Sequence, residues 1–141
     1  MLSMAEGYEI PEDVLNAYKE LRFDRTYKSI VLRLDDDVVT LDKTSAEGYE
    51  ALIAELPDNA PRYIITDFNF TNRAGLEGDK IILIFYCPME SPVKERMIYS
   101  SSRGFIHKSL EGIGLSLEVD GKDELQREKV TSRVLGRLGV G

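Results

Sequence analysis

The sequence predicts an α+β domain of three layers, with a central mixed sheet of five to six strands flanked by helices on both faces. Three observations predict it. The chain has 141 residues, 43% of them hydrophobic, which supports one core but not two. Its apolar periodicity switches in the order helix, two strands, helix, two strands, long helix, strand, helix. The run Ile81-Ile82-Leu83-Ile84-Phe85-Tyr86 is apolar on both faces of a strand, so it requires a sheet interior with helices on either side.

Taken in order, residues 1–10 carry no periodicity and read as a flexible tail up to Ile10, leaving residues 11–138 as the single domain. Pro11 opens a helix to about Phe23 with Val14, Tyr18 and Leu21 on one face. Tyr27 to Leu34 alternates as a strand, and Asp35-Asp36-Asp37 turns it into a partner from Val38 to Leu41. The three aspartates lack the central glycine and twelfth-position glutamate of a calcium loop, so they read as a solvated turn. Thr44-Ser45-Ala46-Glu47 fits a capping box ahead of a helix carrying Tyr49, Leu52, Ile53 and Leu56. After the loop Pro57–Pro61 come strands from Arg62 to about Phe70 and from Lys80 to Cys87, joined by the polar loop Thr71 to Asp79.

The longest helix is predicted from Ser91, as N-cap, and Pro92, at the first helical position, to Leu110. At about 100° per residue, Arg96, Arg103 and His107 fall within roughly 40° of one another. Met97, Ile98 and Phe105 occupy a separate sector. The mid-helix serines can bond back to carbonyls and bend the axis. Leu115 to Val119 reads as the last strand. Asp120-Gly121 then either turns the chain or leads to a helix capped by Asp123. A final helix from about Glu128 to Leu138 is common to both readings and sets Arg133 and Arg137 one turn apart.

Composition narrows the functions. A net charge of −7 disfavours nucleic acid and anionic membrane as partners of the surface as a whole. A lone cysteine, Cys87, excludes a disulfide framework and a multi-cysteine metal site, and it reads as a small buried hydrophobe. No stretch is apolar enough to span a bilayer and no signal peptide is evident, which predicts a cytoplasmic protein. One histidine, one cysteine and no phosphate-cradling glycine loop offer poor material for catalysis, so the expectation is a non-enzyme without metal or cofactor. A helix presenting Met97 beside Lys94 and Arg96 suits an apolar groove with an acidic rim, although Met97 could equally be core.

The string Pro92-Val93-Lys94-Glu95-Arg96-Met97-Ile98-Tyr99-Ser100-Ser101-Ser102-Arg103 resembles the long helix of the actin-depolymerising factor (ADF)/cofilin family. Leu56-Pro57-Asp58-Asn59, Tyr63-Ile64-Ile65-Thr66-Asp67-Phe68 and Lys80 to Phe85 resemble that family's loop, strand and central strand. The resemblance implies an ADF-homology fold. It also implies a monomeric protein that binds monomeric and filamentous actin, prefers the ADP-bound form, and promotes filament disassembly at the cytoskeleton. A monomer-type face would comprise Glu6, Gly7, Lys94, Arg96, Met97, Ser101 and Arg103. A filament-type face would comprise Arg73, Lys80, Arg133 and Arg137.

Two positions depart from the pattern. Glu6 stands where many members carry a regulatory serine, which leaves Ser3 as the candidate phosphorylation site. Glu77-Gly78-Asp79 precedes Lys80 where filament-binding members have basic residues, which predicts weaker side-binding and severing. Two alternatives stay open: a relative that binds actin or actin-related proteins without severing, and an adaptor whose Arg96, Arg103 and His107 stripe reads phosphoinositides.

Overall fold

The computed structural model describes residues 3–5 and 8–139. In chain order the elements are strands β1 (Ser3–Ala5) and β2 (Tyr8–Ile10), helix α1 (Glu12–Lys19), and strands β3 (Ser29–Asp35) and β4 (Val38–Ser45). Then follow strands β5 (Arg62–Thr71) and β6 (Glu77–Tyr86), helix α2 (Val93–Ser109), strand β7 (Leu115–Val119) and helix α3 (Arg127–Leu138). The strands form one sheet in the order β1-β2-β4-β3-β5-β6-β7. It is mixed, because β2 runs parallel to β4 and β6 parallel to β7 while the other pairs are antiparallel.

The doubly apolar run lies where its composition requires. In β6, Leu83 and Phe85 face a core layer built from α1 and α2, with Val14, Leu21, Tyr99 and Phe105 among its members. Ile82, Ile84 and Tyr86 face the opposite layer, with Tyr49, Leu52, Val130 and Val134. Two apolar faces on a central strand thus recruit two helical layers.

Several local expectations are corrected. The sheet has seven strands rather than five or six, because the stretch expected as a tail to Ile10 pairs as β1 and β2, and the Glu9 N–H donates to the Asp37 carbonyl at 2.8 Å. The capping box does not form. Thr44 and Ser45 pair with Ile30 and Ser29 inside β4, so Gly48 precedes a 3-10 helix, Tyr49–Glu55, in place of the expected α-helix. Ser91 does not cap α2 either. Pro92 occupies the N-cap, its carbonyl accepts the Arg96 N–H at 3.0 Å, and the buried Ser91 hydroxyl has no partner among the described residues. The first helix ends in a π-turn, Glu20–Asp24. Beyond β7 the chain makes a short 3-10 turn, Lys122–Leu125, and α3 starts at Arg127, so Asp123 caps no α-helix.

The β3–β4 hairpin carries a bulge at Val31/Leu32 that leaves Asp42 without a Cα partner. The freed carboxylate accepts from Arg33 Nη1 at 2.9 Å and Arg62 Nε at 3.1 Å, tying three strands together. A bulge re-aims a side chain in this way.

Candidate functional site

Helix α2 is held rigidly by what lies beneath it. Tyr99 is buried, its hydroxyl accepts the Leu34 N–H at 2.9 Å, and its carbonyl accepts the Tyr63 hydroxyl at 2.6 Å. Burial raises the pKa of both phenols, most strongly that of Tyr63. Ser101 and Ser102 donate to the Ile98 carbonyl at 3.1 and 2.7 Å, so the mid-helix serines do bond back along the axis.

The outer face of α2 is apolar and cationic. Met97 is 67% exposed and Val93 68%, so Met97 is not core. Ile98 is half-buried and Phe105 buried, which makes Met97 the most exposed member of that sector. Lys94 and Arg96 are exposed beside it and form no salt bridge among the described residues. Ser101 is exposed on the same face.

Arg103 is less free. It pairs with Glu118 of β7 at 3.4 Å, and its guanidinium lies 5.9 Å from the Phe85 ring centroid. Glu6 and Gly7 lie outside the described residues. The backbone of Ser3 belongs to β1, and its side chain is likewise outside the description.

Between α2 and β7 lie two hollows, which together make up a groove in two parts that share no lining residue. The N-terminal part, about 430 Å³, is lined by Phe85, Cys87, Val93, Arg96, Met97 and Glu118, with Ser100 and Ser101 at its edge. Burial pushes the Cys87 thiol above its ordinary pKa, and the nearby Arg96 guanidinium offsets part of that. The sequence showed no basic neighbour for this thiol; the fold supplies Arg96. The C-terminal part, about 350 Å³, gathers Arg103, His107, Lys108 and Arg137 around Ser116. The Ser116 hydroxyl is buried there without a partner among the described residues.

The residues expected on a filament-type face are dispersed around α3 and the sheet edge. Arg73 sits in a groove with Glu128, Thr131, Ser132 and Leu135 of α3. Arg133 and Arg137 turn toward the edge strand, donating to the carbonyls of Glu118 at 2.6 Å and Ser116 at 2.8 Å. They thereby occupy acceptors on a strand edge that would otherwise be open. The Lys80 stem covers Gly114, where a Cβ would meet its Cδ.

Sequence reasoning missed Val93, Cys87 and Glu118 as lining of the α2 groove. Val93 was within reach, because it precedes Met97 by one helical turn. Glu118 was not, since only the parallel pairing of β7 with β6 brings it under α2. Among the described residues no cluster of potential metal ligands occurs, and no helix is long and apolar enough to cross a membrane.

The profile of the family described as "Cofilin/tropomyosin-type actin-binding protein" matches residues 7–135. The chain is 30% identical over 137 residues to actin-depolymerizing factor 12 of Arabidopsis thaliana, covering 96% of this chain and 100% of the relative. It is 28% identical to cofilin of Schizosaccharomyces pombe, over 91% of this chain and 95% of that one. Among solved structures, actin depolymerization factor 2 of Plasmodium berghei superposes with a TM-score of 0.81 at 22% identity, covering 94% of this chain and 99% of that one. Streptomyces griseoflavus cofilin superposes with a TM-score of 0.79 at 21% identity, over 89% and 98%. These superpositions establish the fold, and the profile match across nearly the whole chain establishes that the protein belongs to the ADF/cofilin family of actin-binding proteins.

Proposed function

We propose that this chain binds actin monomers and filaments and promotes filament disassembly, with α2 as its principal docking element. The observation that carries the reading is Met97, exposed on a clamped helix and flanked by Lys94 and Arg96. An adaptable apolar side chain between two cations suits an apolar cleft with an acidic rim, and the cations accelerate and orient the encounter. Relatives named actin-depolymerizing factor and cofilin support the same partner. The ADP-bound form is the expected preference.

Filament side-binding and severing are weaker than monomer binding in this reading. Glu77 and Asp79 put negative charge at the start of β6, and Arg133 and Arg137 are already engaged with β7. The test is the double variant Lys94→Glu/Arg96→Glu. It is expected to lose both co-sedimentation with filaments and sequestration of monomers while its melting temperature stays within a degree or two of wild type. Retained binding would remove α2 from the site.

A second reading draws on the C-terminal part of the groove, where Arg103, His107, Lys108 and Arg137 surround the unpartnered Ser116 hydroxyl. Such a cluster favours phosphate oxygens and supports a phosphoinositide-responsive role. Flotation with phosphoinositide-containing vesicles separates the two: the actin reading predicts filament binding without lipid, and the adaptor reading predicts flotation without actin.

A further inference from the structure

We infer that the groove between α2 and β7 is a receptor pocket for a large apolar side chain of actin, so that the docking helix receives a residue as well as presenting one. This rests on the actin-binding reading above and deepens it. The pocket of about 430 Å³ opens between Val93 and Met97, the two most exposed apolar side chains of α2. Its floor is Phe85 and Cys87, both buried. Val93 and Met97 therefore belong to two surfaces at once. Their outer atoms form the docking face and their flanks form the pocket wall, so a partner seated on the face lies across the pocket mouth.

The rim defines the occupant. Arg96 stands at the mouth with no carboxylate partner among the described residues. Glu118 is held back on the β7 side by Arg103. An apolar residue followed by a carboxylate fits this arrangement: the side chain covers Phe85 and Cys87 while the acid meets Arg96. A buried apolar anchor beside a desolvated charge pair is the usual make-up of an interface hot spot. Phe85 and Cys87 contribute only through the floor, set back from the outer face of the helix, which separates this pocket from simple contact along the helix.

The single cysteine makes the pocket testable without disturbing its rim. Cys87→Leu adds volume from below. Methyl methanethiosulfonate does the same reversibly in the wild-type chain, since the thiolate takes the methylthio group, methanesulfinate leaves, and dithiothreitol restores the thiol. For the binding measurements, excess reagent is removed before actin is added.

The expected result is that the leucine variant, shown to be folded by its unfolding transition, and the methylthiolated wild type each bind actin at least tenfold more weakly. Dithiothreitol should return the latter to full affinity. Actin should also slow modification of Cys87 at least fivefold, read by the mass of the Cys87 peptide. If the leucine variant proves unfolded, the methylthiolated wild type decides alone. Undiminished binding by a filled pocket overturns the inference and leaves the actin reading intact. Unmodified protein that binds no actin overturns both.

Discussion

The Tyr63 hydroxyl, rising from β5, donates to the main-chain carbonyl of Tyr99 at 2.6 Å, and the two rings lie 5.3 Å apart. This contact anchors the middle of α2 to the sheet, two residues from Met97. Tyr63→Phe keeps the ring and removes the donor. It should lower stability by about 1 kcal/mol, the net worth of one such bond, measured by urea unfolding. Because α2 would sit less firmly, actin affinity should fall with it.

Met97→Ala separates binding from stability. A side chain that is 67% exposed contributes little to the core, so the unfolding midpoint should move by less than about 0.5 kcal/mol. Actin affinity should fall at least about tenfold, which corresponds to about 1.4 kcal/mol. A large stability loss with unchanged affinity would place Met97 in the core after all.

Two glycines predict opposite signs. Gly112 adopts φ +99°, and a Cβ there would meet the Arg22 guanidinium, so Gly112→Ala should destabilise by about 1–3 kcal/mol. Gly104 sits inside α2 with open space around its missing Cβ, so Gly104→Ala should stabilise by about 0.5–1 kcal/mol. Paired thermal melts read both.

Arg127 links the two helical elements of the second layer. It forms a two-pronged ion pair with Glu50, donates to the Asn69 carbonyl at 3.0 Å, and lies 4.6 Å above the Phe68 ring. The hydrogen bond from Arg127 holds the Glu50 carboxyl below its usual pKa. A depressed folded pKa means that the stabilisation is complete above the unfolded value of about 4.3 and disappears as pH falls through the folded value. Both side chains are 39% exposed, so this pH-dependent part should be about 1 kcal/mol or less. Arg127→Gln should therefore be less stable than wild type at pH 7, and the gap should narrow toward pH 3. A gap independent of pH would assign the role of Arg127 to its stacking on Phe68 and its hydrogen bond to the Asn69 carbonyl.

Arg133→Ala/Arg137→Ala removes two donors from the β7 edge. Stability should fall by about 1 kcal/mol per bond, discounted for exposure. If these arginines also serve a filament-type contact, co-sedimentation should weaken while monomer sequestration persists. Equal loss in both assays would mean that they act only by holding β7.

Much of this protein was legible in its sequence. The apolar periodicity of α1, α2 and α3, the doubly apolar β6 and the order of elements determined an α+β sheet covered on both sides, because burial of those faces admits few other arrangements. The string from Pro92 to Arg103 resembled the family's long helix, and spacing along that helix set which of its side chains share a face. What failed locally failed through competition from distant partners. Thr44 and Ser45 could have capped a helix, but pairing with β3 consumed them, and residues 8–10 could form β2 only because β4 offered an edge. The tertiary structure alone decided that Met97 is exposed while Phe105 is buried. It alone put Arg103 opposite Glu118 and closed a pocket over Cys87. The first depends on which side of α2 packs on the sheet, and the others on the parallel crossover that sets β7 beside β6, relations between segments that no local pattern contains.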